Sequence, residues 1–198
     1  MNDPKLVSDL ISALHDSNKS VRAYAARTIA ELEDPTTVDA LFMALKDPYD
    51  EVRYIAAVTL GRIGQSKTVE IRQLLTDQDP GVRWAATIAI GELKDSDSMK
   101  MLSHVLVDVE WEVRLEAARA LGKLGNKQAG PILITALEDT HTNVCAKAAE
   151  ALGKLGVAEA LPALEQMRLE DKRRTPGGMR LSKFATRAIE DIKKQMRN

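Results

Sequence analysis

Residues 133–156 read "LITALEDTHTNVCAKAAEALGKLG", and residues 41–64 read "LFMALKDPYDEVRYIAAVTLGRIG". Both carry an apolar pair, an aspartate, an alanine pair and two glycines in one register, and that register recurs along the chain. Val21-Arg22, Val52-Arg53, Val82-Arg83 and Val113-Arg114 lie 31, 30 and 31 residues apart. Val144-Cys145 follows after another 31, with cysteine in place of arginine. Five residues before each valine stands an aspartate: Asp16, Asp47, Asp77, Asp108 and Asp139. Eight after it stands Ile29, Leu60, Ile90, Leu121 or Leu152, with glycine next in four of the five copies. A degenerate sixth copy fits Leu181-Ser182 and Ile189 after a longer gap of 37 residues. A period of this length signals an array of small supersecondary units.

Each copy holds two helical patterns. Leu10 and Leu14, Leu41 and Leu45, Ile71 and Leu75, Leu102 and Leu106, and Leu133 and Leu137 each share one face of a first helix at a spacing of four. A second helix runs from just before Val-Arg to the glycine, as in Glu112 to Leu121. Its alanine pairs, such as Ala56-Ala57 and Ala117-Ala118, let neighbouring helices approach closely. Gly61, Gly64, Gly122, Gly125, Gly153 and Gly156 are expected to supply left-handed helix ends and the turns after them. Asp47-Pro48 and Asp79-Pro80 are expected to start second helices. One short helical pair cannot bury its apolar face alone, so the pairs must stack. The fold class is therefore all-α, a right-handed α-α superhelix of about six helical pairs. The expected organisation is a single solenoid over 1–198, with an N-terminal cap helix and turn at 1–18 and an irregular C-terminal cap repeat at 165–198.

The frame LxxALxDxxxxVRxxAAxxLGxLG, carried by Leu41–Gly64 and Leu133–Gly156, resembles HEAT-like repeats of the phycobilin-lyase type. The resemblance covers nearly the whole chain and implies that second helices line a concave surface. It constrains function far less, because the frame is a stacking device. It leaves open a bilin lyase subunit or tetrapyrrole-handling protein, with a planar ligand stacked on Trp84, Trp111 and Tyr54 and its propionates on Arg119 or Lys147.

Composition narrows the remaining choices. The 198 residues are 44% apolar and 29% charged, with a net charge of −1, so no global field recruits nucleic acid or an anionic membrane. The N-terminus lacks a signal-peptide pattern, and no apolar run reaches the ~18 residues of a membrane span. The one cysteine, Cys145, fits a cytoplasmic location. His15, His104 and His141 share no spacing and form no His-Glu pair, so no metal and no cofactor are expected. Cys145 reads as a small residue replacing an arginine. The repeated aspartates and arginines read as an internal ladder, since an enzyme seldom needs five copies of one acid. From Glu165 onward ten Lys and Arg face five Asp and Glu, and Lys172-Arg173-Arg174 forms a basic loop of open role.

Five second-helix positions lie outside the apolar frame: two before the valine, two after the arginine and one after the alanine pair. They hold Tyr24; Tyr54, Ile55 and Val58; Trp84 and Ile88; Trp111 and Leu115; and Phe184, which is five of the seven aromatics. They vary between copies whereas the frame does not, so they are expected to face a ligand that is not periodic. Glu112 and Arg119 flank the strip. Asp50, Glu51, Glu112 and Glu116 make its middle acidic, and Lys147, Lys183 and Arg187 make its far end basic. Such a mixed surface suits a protein or peptide better than a polyanion. The sequence thus points to a monomeric, non-catalytic interaction scaffold. Tetrapyrrole handling is the alternative, and nucleic-acid binding or repair ranks behind both.

Overall fold

The computed structural model describes residues 2–197. The described residues form twelve α-helices and no strand, apart from an isolated bridge between Arg174 and Arg180. They divide into two compact units, Met1–Asp95 and Ser96–Asn198. The first contains α1 (Pro4–Ala13), α2 (Lys19–Leu32), α3 (Val38–Ala44), α4 (Asp50–Ile63), α5 (Thr68–Gln73) and α6 (Pro80–Leu93). The second contains α7 (Met99–Val105), α8 (Trp111–Leu124), α9 (Gly130–Thr135), α10 (Thr142–Leu155), α11 (Leu161–Glu170) and α12 (Leu181–Gln195). These are six first-helix and second-helix pairs, as the period requires.

Within each unit a second helix packs on its own first helix and on the next second helix. Thus α4 touches α2, α3 and α6, and α10 touches α8, α9 and α12. The core follows the frame. Leu41, Leu45, Ile71, Leu102 and Leu133 from first helices and Ile29, Leu60, Leu121 and Leu152 from second helices are fully buried. Each such side chain contributes about 1.5–3 kcal/mol relative to leaving it exposed. The alanine pairs are buried completely, which is what lets second helices lie close.

The glycines divide by role, and this corrects one expectation. Gly125 and Gly156 do adopt left-handed C-caps, at φ 75° and 64°. Gly64 does not, at φ −93°. Gly61, Gly122 and Gly153 lie inside helices that run a turn further than the pattern suggested. They are small because a neighbour is close: a Cβ on Gly153 would stand 2.9 Å from the Ala188 backbone, and one on Gly122 3.0 Å from Ala151. In α2 and α6 the left-handed cap falls to Glu33 and Lys94.

Asp79 is the N-cap of α6, accepting from the Gly81 amide at 2.7 Å with Pro80 at the first position. Asp47 is not the cap of α4, because Tyr49 occupies that place. Asp47 instead accepts the Tyr49 amide at 2.8 Å. Every frame aspartate does the same to the amide two residues on: Asp16 to Asn18, Asp77 to Asp79, Asp108 to Glu110 and Asp139 to His141. The aspartate therefore shapes the turn that feeds each second helix.

Candidate binding surface

The frame charges are structural. Arg22 donates two hydrogen bonds to Asp47 of the next repeat, at 2.6 and 3.0 Å, and Arg114 does the same to Asp139, at 2.6 and 2.8 Å. Each arginine also reaches the carbonyl of the aspartate in its own repeat. Burial alone would raise the Asp139 carboxyl, but the Arg114 guanidinium and the His141 amide outweigh it and hold it below the usual carboxylate range. The ladder is not uniform. Lys46, not Arg53, meets Asp77, at 3.1 Å, while Arg53 lies over Gly81 and donates to the Asp47 carbonyl at 2.7 Å.

Cys145 is fully buried, and burial pushes its thiol up. Its Sγ lies 3.1 Å from the Asp139 carbonyl, which a frame arginine would otherwise occupy. A residue that the sequence left without a role restores the missing guanidinium. Arg173 donates to that carbonyl at 2.9 Å and pairs with Asp171 at 2.7 Å. Asp171 also accepts the Arg173 amide, as frame aspartates do for the residue two positions on. The guanidinium that α10 lacks is thus supplied by the loop before α12. The signal was present in the Cys145 substitution and the Asp171 spacing, but the longer gap obscured it.

The outward positions are graded rather than uniformly open. In the first unit Tyr24 on α2 and Tyr54 on α4 are 67% and 46% exposed. Ile55, Val58 and Trp84 are half-buried, and the Tyr54 and Trp84 rings lie 6.1 Å apart on successive second helices. Ile88, expected on the surface, is 5% exposed and belongs to the core. In the second unit Leu115, Arg119 and Phe184 are half-buried and Glu112 is exposed. Trp111 opens α8, half-buried, with its ring stacked on His141 at 3.7 Å and 13°. His141 is the N-cap of α10. Lys19 lies over Tyr49 between the same two frame positions of the first repeats, 4.9 Å from the ring centre.

Three of the charges in the expected division are paired within the protein, while Asp50, Glu112, Lys183 and Arg187 are exposed. Glu116 is buried at 6% exposure and pairs with Arg119 at 3.4 Å. Glu51 is engaged by Arg27 and Tyr49, and Lys147 by Glu150. Buried Glu116 is a correction to the acidic middle: its side chain is covered and paired with Arg119 rather than open to solvent. No group of three or more metal-ligating side chains occurs among the described residues, and no helix among them is long and apolar enough to cross a membrane.

Twelve helices in repeated pairs among the described residues, a core of first-helix and second-helix leucines, and a charge ladder between turns define an all-α solenoid of the HEAT and armadillo class. The family model for HEAT repeats matches residues 7–71 and 100–175, well over half of the chain. The chain belongs to the HEAT-repeat family. Among solved structures, an Escherichia coli protein, YibA, is 26% identical over 98% of this chain and 71% of its own, with a TM-score of 0.64. A designed armadillo repeat protein in complex with the peptide (KR)4 is 18% identical over 94% and 99% of the two chains, with a TM-score of 0.64. The complex of CpcE and CpcF of phycocyanin lyase from a Nostoc species gives 23%, 97% and 97%, and a TM-score of 0.58. These likenesses concern the fold, and the family is shown as HEAT repeats without a subtype. Nothing matches among curated proteins.

Proposed function

We propose that this chain is a non-catalytic interaction scaffold that holds a protein or peptide partner against the outward faces of its second helices. The observation that carries this reading is the run of Tyr24, Tyr54 and Trp84 on three successive second helices, two of them exposed and two in ring contact. Exposed aromatic surface on a scaffold whose core is already complete is the usual mark of a partner site. Trp111, Leu115, Glu112, Arg119 and Phe184 extend the same reading to the second unit, with Ile55 beside Tyr54 in the first. We take the chain as one array of repeats, monomeric and cytoplasmic, with the second helices on its concave side.

Tetrapyrrole handling has less support. The cations it would need for propionates, Arg119 and Lys147, are paired with Glu116 and Glu150. The test is affinity capture from the source organism with wild type and with Tyr24→Ser/Tyr54→Ser, whose exposed sites leave the fold intact. The expected result is a protein retained by wild type and lost from the variant. Equal retention, or capture of a bilin-bearing protein whose chromophore transfer depends on the chain, contradicts the reading.

A further inference from the structure

The turn between α7 and α8 departs from every other copy of the frame. Three outward positions, six, four and two residues before the frame valine, hold His15, Ser17 and Lys19 in the first copy. They hold Lys46, Pro48 and Asp50 in the second, Thr76, Gln78 and Pro80 in the third, and Glu138, Thr140 and Thr142 in the fifth. In the fourth alone they hold Val107, Val109 and Trp111. Val107 is 69% and Val109 86% exposed, and Trp111 is half-buried. Neither valine is needed to shape the turn. Asp108 accepts the Glu110 amide here as its counterparts do elsewhere, and both valines are mostly exposed. Two solvent-facing valines two residues apart, beside a tryptophan, form an apolar patch, the kind of surface that marks a partner site.

The surroundings say what kind of surface would do so. Glu110 and Glu112, which flank Trp111, and Glu138 on the adjoining turn are exposed carboxylates. The arginines of this edge are committed elsewhere, Arg114 to Asp139 and Arg173 to Asp171. The cluster is thus an apolar knob in an acidic frame. We infer that the Val107–Trp111 turn is a docking site centred on Val107 and Val109, sharing Trp111 and Glu112 with the second-unit face proposed above, for a protein segment presenting an apolar side chain between lysines or arginines. Apolar contact would supply affinity and the carboxylates would select charge and orientation. His141 backs the Trp111 ring and holds it in place for contact.

The inference predicts a recognisable sequence class, so the probe is a random peptide-display library selected on wild type and counter-selected on Val107→Thr/Val109→Thr. Both changes keep side-chain shape at exposed positions, and a melting curve matching wild type verifies the fold. Selected peptides should centre on an apolar residue flanked by Lys or Arg. Titrated as synthetic peptides, they should weaken about tenfold or more on the double variant and on Glu110→Gln/Glu112→Gln, a loss near 1.4 kcal/mol. They should bind Tyr24→Ser/Tyr54→Ser as they bind wild type, so that this site and the tyrosine strip of α2 and α4 fail independently. No enrichment, acidic selected peptides, or equal binding to the double variant overturns the inference. So does concentration-dependent dimerisation of wild type that the double variant abolishes, since that would assign the valines to a second copy of the chain.

Discussion

The two units place their tryptophans differently within the same frame. In the first, Tyr24, Tyr54 and Trp84 sit after the arginine, along the body of the second helix, and the Tyr54 and Trp84 rings lie 6.1 Å apart on successive helices. In the second, Trp111 sits before the valine, at the first position of α8, and meets the N-cap of the next second helix. A ring on the body of a helix can form a continuous strip. A ring at its start is an edge feature, tied to the turn. The frame conserves what stacks, and position relative to the valine decides whether an aromatic faces outward along the helix or belongs to the turn edge.

The comparison is sharpest in stability, where frame and non-frame residues should part. Leu121→Ala opens a cavity in a fully buried site and should lower unfolding free energy by about 2–5 kcal/mol. Arg114→Ala leaves Asp139, only 10% exposed, without its guanidinium, and should lower it by about 1–3 kcal/mol. Denaturant titrations of both variants measure these values, and an Arg114→Ala protein as stable as wild type would remove the ladder from the account.

The same rung predicts a pH dependence. Asp139 is held below its unfolded value, so its contribution is fully present above about pH 4 and is lost as pH falls through the depressed folded value. Melting temperature should fall on that acid limb, and Arg114→Ala should flatten it, because the pairing that lowers Asp139 is gone. An acid limb unchanged by Arg114→Ala would place the dependence on other carboxylates.

Trp111→Ala removes one stacked ring contact and should cost about 0.5–1.5 kcal/mol beyond lost burial, less than Leu121→Ala. Equal losses would make the tryptophan a core residue and erase the contrast between the units. Smallest of all, Tyr24→Ser should change stability by no more than about 0.5 kcal/mol, as expected of an exposed side chain away from caps and networks.

The fold was legible because stacking imposes one constraint many times. A single Leu-x-x-x-Leu pair is weak, but Leu41 and Leu45 are echoed four times at one period. What the sequence hid was of another kind. Glycine looks the same whether it serves a left-handed turn, as at Gly125, or a close helix contact, as at Gly153. Glu116 and Ile88 lie at frame positions that look outward by periodicity, yet both are buried. Arg173 could not be read from the repeat because the gap before the sixth copy takes it out of register, though its guanidinium returns to the place Cys145 vacates. The strip of the first unit was visible as residue types, but its ring contact and exposure needed coordinates.

The central claim is that the tyrosines of α2 and α4 bind rather than hold the fold together. The direct measurement is a calorimetric titration of the captured partner into wild type and into Tyr24→Ser/Tyr54→Ser, with both proteins melting at the same temperature. One interface anchor of this type is worth about 2 kcal/mol or more, so the loss of even one of the two should raise Kd about thirtyfold or more. An unchanged Kd would contradict the claim.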